Sequence, residues 1–149
     1  MNTSNKYRSL LAFLGFKVTE MSFKLNDRSE GGRFPLDFDV DAKFDYAEND
    51  VENTCQVTLK ATFFKTLAER GEDYPFNLDL TIVGYFSAQH SEFEYDKFKT
   101  LVEKNGVAIL FPYLRSIICD ASKMANISPI LLPSTNIAKF IENKQSGRM

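Results

Sequence analysis

The sequence predicts an α+β fold, in which a four-stranded antiparallel sheet is followed by a long and a short helix packed on one face. Two patterns support this prediction. As far as Gln89, apolar residues recur with a period of two, as on half-buried strands, and beyond it they recur at helical spacing. Four strands that follow one another in the chain favour a meander with one face in solvent. With 149 residues, 44% of them apolar and 26% charged, the chain suits a single domain around one core.

Period-two alternation defines the strands in order. The first is expected over residues 16–25, and a polar, glycine-containing loop follows at residues 26–33. The second has the clearest alternation, with an apolar face (Leu36, Phe38, Val40, Ala42, Phe44 and Tyr46) and an acidic face (Asp37, Asp39, Asp41 and Asp45). The third and fourth strands are expected over residues 54–66 and 76–88.

Helical spacing replaces the period of two after Gln89. Residues 96–104 predict a short helix that ends near residues 105–106, where asparagine and glycine stand together. Over residues 107–125, apolar side chains keep the i, i+3, i+4, i+7 spacing of one helical face. This stretch predicts the long helix, with Pro112 marking either its start or a kink.

The two ends of the chain carry shorter elements. Residues 1–15 are interpreted as a helical extension and not as a signal peptide, because the apolar run ends at Lys17 and no small-residue cleavage site follows. An extended crossover at residues 130–133 leads to a last helix over residues 134–141. Residues 144–149 are polar and predict a loose tail. Nothing in the sequence divides the chain, so all 149 residues are interpreted as one domain.

The composition offers few groups for catalysis. There is one histidine, His90, and there are two cysteines, Cys55 and Cys119. His90 follows a strand in a polar context and is interpreted as a surface residue, whereas both cysteines are interpreted as structural thiols. A metal site or histidine-driven catalysis would have almost nothing to work with. The sequence therefore predicts a protein without catalytic residues, metal ions or cofactors.

Aromatic side chains are abundant instead, with 14 Phe and 6 Tyr. Most of them should belong to the core. Adjacent Phe63 and Phe64 should point to opposite faces of the third strand, which would leave one of them exposed. Large exposed apolar patches usually mark interaction sites, so this bias favours binding over chemistry.

The charge is distributed unevenly although the net charge is only −2. Residues 27–52 carry nine acids and three bases, and residues 97–149 carry eight bases and three acids. On the second strand the aspartates stand about 7 Å apart in a row, which suits solvent or a protein partner better than a metal ion. The net charge of −2 does not favour nucleic-acid binding, which would need a local basic stripe, and no apolar run reaches the roughly 18 residues of a membrane span. Two cysteines without a disulfide pattern favour the cytoplasm.

One block in the helical half resembles a known family. It is a Phe-Pro-Tyr-x-Arg motif inside an apolar helix, formed by Phe111, Pro112, Tyr113 and Arg115. A Pro-Ile-Leu-Leu-Pro segment follows at residues 129–133. Together these segments resemble the C-terminal half of the SecB protein-export chaperones. The strand sequences at residues 19–23 and 84–87 and the order of elements also resemble that family, so the resemblance covers residues 16–143.

The resemblance implies an ATP-independent holdase, assembled as a homotetramer that is a dimer of dimers. Such a protein binds unfolded client polypeptides along hydrophobic grooves and passes preproteins to the translocase motor SecA. Aromatic residues of the sheet region are the predicted client-binding groove, namely Phe34, Phe38, Phe44, Tyr46, Phe64 and Tyr85. The resemblance places Glu20 and Asp79 in the acidic face that contacts the motor. The row formed by Asp37, Asp39 and Asp41 is added to that face.

Two departures from the family pattern leave alternatives open. Lys24 stands where the family commonly has an acid, and residues 144–149 lack the usual acidic tail. The chain could therefore belong to the diverged members that serve toxin–antitoxin systems or phages, with an antitoxin as partner. A hot-dog-like enzyme or small-ligand carrier is a rival from another class, for which Asp120 and His90 are the candidate groups.

Overall fold

The structure describes residues 11–133 and Ile141 of a computed structural model, and residues 11–133 contain four strands and two helices. In chain order they are β1 (Ala12–Leu25), β2 (Phe38–Glu48), β3 (Glu52–Phe63), α1 (Lys65–Glu69), β4 (Phe76–Gln89) and α2 (Tyr95–Met124). The predicted α+β class, with one four-stranded antiparallel sheet, is confirmed.

The strand order is β1-β4-β3-β2, which is not the simple meander expected from the sequence. Strands β2, β3 and β4 are neighbours in chain order, but β1 pairs with β4 at the far edge. The connection between β1 and β2 has no tight hairpin turn, and residues 26–37 provide a long loop. A chain of this length spans three strand spacings of about 4.8 Å without difficulty, so a crossover is sterically easy.

Helix α2 is continuous from Tyr95 to Met124, so the predicted break at residues 105–106 is wrong. Gly106 is buried against the sheet, where a Cβ atom would lie 3.3 Å from Val57 Cγ2. The glycine therefore allows close packing of the helix on β3 instead of ending the helix. Pro112 lies inside α2 with an exposed side chain and does not mark its start.

Strand β1 begins at Ala12, so residues 12–15 are strand and not the helical extension predicted there. Phe13 pairs with Phe86 on β4, and their ring centroids lie 5.2 Å apart. The register shifts between Phe13 and Phe16, where Gly15 has φ 110°, a value that suits glycine. Residues 1–10 lie outside the described part of the chain.

The end of β3 also differs from the prediction. The strand stops at Phe63 instead of running to residue 66, because Phe64 adopts a left-handed conformation with φ 58° and precedes α1. The predicted last helix and the tail fall outside the described residues, apart from Ile141, which is helical and buried.

The core lies between one face of the sheet and α2. Residues of β3 and β4 alternate between buried and partly exposed, as the period-two pattern predicts. Gly84 on β4 lies beneath Leu110 of α2, and a Cβ atom there would approach Leu110 Cδ2 to 2.5 Å. Within the described part of the chain, no helix has both the length and the apolar character that crossing a membrane requires.

Candidate functional site

The sheet has two faces of different chemistry. We call the face toward α2 the inner face and the opposite one the outer face. Cross-strand partners share a face, so Phe38, Phe63 and Leu78 lie together on the inner face. Asp39, Thr62 and Asp79 lie together on the outer face. The predicted separation of aromatic from acidic residues is therefore present along β2.

Six phenylalanines gather at the end of the sheet where β2 and β4 begin. This phenylalanine cluster consists of Phe23, Phe34, Phe38, Phe63, Phe64 and Phe76. Phe76 is central, since its ring centroid lies 5.0 Å from Phe64, 5.3 Å from Phe23 and 6.3 Å from Phe63. Edge-to-face and offset ring pairs of this kind stabilise by about 0.5–1.5 kcal/mol beyond their burial.

The backbone around Phe64 positions its ring in this cluster. Phe64 N donates a hydrogen bond of 2.8 Å to Asp37 O, which ties the start of β2 to the end of β3. The Asn77 side-chain amide donates to both Phe63 O and Phe64 O at 3.3 Å. Phe63 and Phe64 are both buried, so the expectation that one would be exposed is wrong. The left-handed backbone at Phe64 turns its side chain out of the strand alternation.

A second aromatic group surrounds Tyr46 at the opposite end of β2. Its ring stacks on Phe44 at 6.4 Å and meets Tyr95 and Phe98 of α2 edge to face. Lys99 Nζ lies 5.3 Å from the centroid of the Tyr46 ring, a cation–π distance. Tyr46 OH donates a 3.3 Å hydrogen bond to Glu103 Oε1.

Electrostatics keep the Tyr46 hydroxyl protonated. Burial, followed by the nearby Glu103 carboxylate, raises the pKa of Tyr46 well above its ordinary value. Phe44 and Tyr46 thus belong to a group that β2 shares with α2, and this group is separate from the phenylalanine cluster.

Apolar side chains of β1 lie uncovered on the inner face. Val18, Met21 and Leu25 are 46%, 48% and 50% exposed, although their partners Ile82, Leu80 and Phe76 on β4 are buried. We call these three residues the β1 apolar strip. It adjoins the phenylalanine cluster through Leu25, which pairs with Phe76.

Sequence reasoning did not identify the β1 apolar strip. The signal was period-two alternation along β1, but the register shift between Val18 and Glu20 interrupts it. Which apolar residues α2 covers depends on how the helix crosses the sheet, and this crossing cannot be read from strand periodicity.

The predicted client-binding residues do not form one groove. Phe34, Phe38 and Phe64 belong to the phenylalanine cluster, and Phe44 and Tyr46 belong to the second aromatic group. Tyr85 pairs with Gln56 on the outer face, with Lys17 Nζ 5.9 Å from its ring centroid. Tyr85 is therefore separated from the others by the thickness of the sheet.

Four of the five predicted acidic residues share the outer face, and bases lie among them. Asp79 is paired with Ser22 and Thr62, and Glu20 is paired with the neighbouring Thr81. Asp39 and Asp41 lie on β2, where Asp41 is opposite Lys60, and Asp37 immediately precedes that strand. Lys24 is exposed on β1 opposite Asn77. The outer face is consequently a mixed polar surface that is richest in acid along β2.

The Phe-Pro-Tyr-x-Arg motif joins α2 to its surroundings. Tyr113 packs on Phe16 of β1, with ring centroids 4.6 Å apart. The Arg115 guanidinium lies 6.0 Å from the ring of the buried Phe111, and Arg115 Nε donates a 3.1 Å hydrogen bond to Leu132 O. The motif therefore holds β1 and the extended segment after α2 in place.

The groups considered for the rival enzyme interpretation are exposed. Asp120 lies on the exposed side of α2, and His90 Nε2 lies 2.6 Å from the backbone oxygen of Asn49. Among residues 11–133, no three His, Cys, Asp or Glu side chains come close enough together to hold a metal ion.

Comparisons with known proteins agree with the motif and the fold. A family model described as preprotein translocase subunit SecB matches residues 18–147. The chain belongs to the SecB family. The resemblance inferred from the Phe-Pro-Tyr-x-Arg motif is thus confirmed.

Two individual proteins illustrate how this SecB-family chain relates to others. An uncharacterized protein of Methanocaldococcus jannaschii is 31% identical over 137 residues, which cover 89% of this chain and 83% of that protein. A solved structure of the SecB-like chaperone Rv1957 of Mycobacterium tuberculosis, in complex with a ChAD peptide from the HigA1 antitoxin, matches with a TM-score of 0.60. This match covers 87% of this chain and 93% of that one at 11% identity, so the similarity is one of fold.

Proposed function

We propose that this SecB-family protein is an ATP-independent chaperone that holds unfolded polypeptides and carries out no catalysis. The observation that supports this proposal most directly is the β1 apolar strip. Val18, Met21 and Leu25 are about half exposed on the inner face and adjoin the phenylalanine cluster. A contiguous exposed apolar surface is unfavourable in water unless another molecule covers it.

A strip of apolar side chains along one strand suits an extended client. An unfolded segment that buries about 1,000 Å² of apolar area would gain roughly 25 kcal/mol before ordering costs, and those costs would cancel most of it. The balance gives moderate affinity with little demand on client sequence. Several weak contacts along one unfolded chain would then add through effective concentration.

The edge of the sheet supports assembly. β1 is an edge strand of the described sheet, so the backbone of its outward edge can pair with the same edge of a second subunit, which leaves the β1 apolar strip to clients. We expect a homotetramer formed as a dimer of dimers in the cytoplasm. Light scattering of the purified protein should give about four times the 17.0 kDa chain mass.

Delivery of preproteins to SecA is the first candidate for the cellular role. The outer face carries Glu20 and Asp79 and the acidic row of β2, which a basic surface of the motor would recognise. Lys24 on the same face opposes such binding. The second candidate is protection of an antitoxin. It is favoured by the similarity of fold to a SecB-like chaperone solved with an antitoxin peptide.

A binding experiment tests the chaperone proposal. Reduced and carboxymethylated α-lactalbumin serves as an unfolded probe, and the native disulfide-bonded form of the same protein serves as the matched control. Fluorescence anisotropy should show saturable binding of the unfolded form and none of the native form. Equal binding of both forms, or of neither, would contradict the proposal. Titration with SecA or with an antitoxin then separates the two cellular roles.

A further inference from the structure

The loop between β1 and β2 is longer than the distance that it has to span. β1 and β2 occupy opposite edges of the sheet, so this crossover loop, residues 26–37, must span three strand spacings. That distance is roughly 14 Å, whereas twelve extended residues reach about 40 Å. Chain length alone therefore does not fix the loop, and specific contacts must decide where it lies.

The first half of the crossover loop is fixed by hydrogen bonds to the segment before β4. Asn26 donates from its backbone to Pro75 O at 3.0 Å and from its side chain to Tyr74 O at 2.8 Å. The Asp73 carboxylate then accepts two hydrogen bonds at one oxygen. Ser29 Oγ and Glu30 N both lie 3.2 Å from Asp73 Oδ2.

The second half of the loop is held differently. Gly31 and Gly32 follow the Asp73 contact with φ values of 83° and 112°, a conformation that glycine adopts easily. Phe34 then places its half-buried ring edge to face on Phe64, with centroids 6.2 Å apart. The loop rejoins the sheet at Asp37, whose backbone oxygen accepts from Phe64 N. Thus Phe34, between two anchors, covers part of Phe64.

We propose that the crossover loop is a flap over Phe64 and that Asp73 is the latch that holds it closed. When the Asp73 contacts break, the two glycines allow the segment with Phe34 to leave Phe64. Apolar or aromatic side chains of an unfolded client then take its place. This inference rests on the proposed chaperone function. It assigns Phe34 the role of a competitor of the client and not that of a client-binding residue.

The fraction of molecules with an open loop determines the apparent affinity for a client. If only the open form accepts a client at Phe64, the apparent dissociation constant is the intrinsic one divided by the open fraction. The latch consists of two hydrogen bonds at an exposed carboxylate, so it is weak enough to open reversibly. Removing it should raise client affinity by about threefold to tenfold.

The test compares Asp73→Ala with Glu72→Ala. Both variants remove one exposed carboxylate from the same segment, but only Asp73 bonds to the crossover loop. Hydrogen exchange at residues 27–36 should speed up about tenfold in D73A and stay unchanged in E72A. Affinity for carboxymethylated α-lactalbumin should rise in D73A alone.

The direction in which Phe34→Ala changes client affinity distinguishes the two possible roles of Phe34. Removal of a competing ring should strengthen client binding, whereas loss of a client-binding residue should weaken it. Weaker binding by F34A, or unchanged loop exchange in D73A, would overturn the inference while leaving the chaperone proposal intact. Absence of client binding by the wild-type protein would overturn both, so the two failures are distinguishable.

Discussion

Gly84 allows α2 to pack closely on the sheet. A methyl group there would lie 2.5 Å from Leu110 Cδ2, and Leu110 is fully buried. We expect Gly84→Ala to lower the free energy of unfolding by about 1–3 kcal/mol, since overpacking forces the core to shift. Urea unfolding followed by circular dichroism measures this change.

Two further variants control for the Gly84 prediction. Gly106→Ala should cost less, because its nearest contacts would be 3.3 Å and alanine favours a helix by about 1 kcal/mol over glycine. In a Leu110→Ala background, the effect of Gly84→Ala should shrink or vanish. An undiminished loss there would show that Leu110 is not the group with which the new methyl collides.

Cys55 gives a prediction about pH. Its thiol is 1% exposed on the inner face, and burial raises its pKa to about 12. In the unfolded chain the thiol has a pKa of about 8.5. Because the folded pKa is the higher one, the stabilisation is fully present below the unfolded pKa and is lost as pH rises toward the folded pKa. Between pH 8 and pH 10 we expect a loss of about 1–2 kcal/mol from this group.

Substitution of Cys55 separates this loss of stability from the titration of other groups. Other groups titrate in the same range, so the quantity to measure is the difference in unfolding free energy between the wild-type protein and Cys55→Ala. This difference should shrink as pH rises. A difference independent of pH would show that Cys55 ionises normally in the folded protein.

Strand β1 is the element whose role was least evident from the sequence. Met21→Gln replaces an exposed apolar side chain of the β1 apolar strip by a polar one of similar length. We expect client affinity to fall about fivefold, as burial of that side chain contributes roughly 1 kcal/mol or more. Anisotropy with the unfolded probe measures the change.

Lys24→Gln is the matched control for Met21→Gln, because it introduces the same residue on the same strand but on the outer face. It should leave client affinity unchanged. Equal effects of the two substitutions would show that the inner face of β1 is not where clients bind.

Periodic patterns in the sequence predicted a strand correctly where the alternation of buried and exposed side chains alone determined it. Alternation along β2 correctly separated Phe38 from Asp39, because a half-buried strand obliges neighbouring side chains to face opposite ways. The pattern failed at Phe64 and Gly106. There, a left-handed backbone and a close helix–sheet contact decided the outcome, and both arise from tertiary packing.

The order of the strands, and the separation of the predicted client-binding residues onto two faces, depend on how the whole chain folds. Nothing local to β1 indicates that it pairs with β4, since the crossover loop allows either edge. For the same reason, Tyr85 could not be separated from Phe38 and Phe44 by sequence alone. The register of β4 puts it on the outer face. The family, in contrast, was recognisable from the short motif around Pro112, because its residues hold α2 to β1 and to the following segment.

Suppression of aggregation tests the proposed holdase most directly. A chemically unfolded client is diluted into buffer with four chains of this protein per client, without ATP, and light scattering is followed. We predict that scattering is largely suppressed, and that Met21→Gln suppresses it less than Lys24→Gln. Scattering equal to that of the client alone would contradict the proposal that the exposed apolar surface holds unfolded chains.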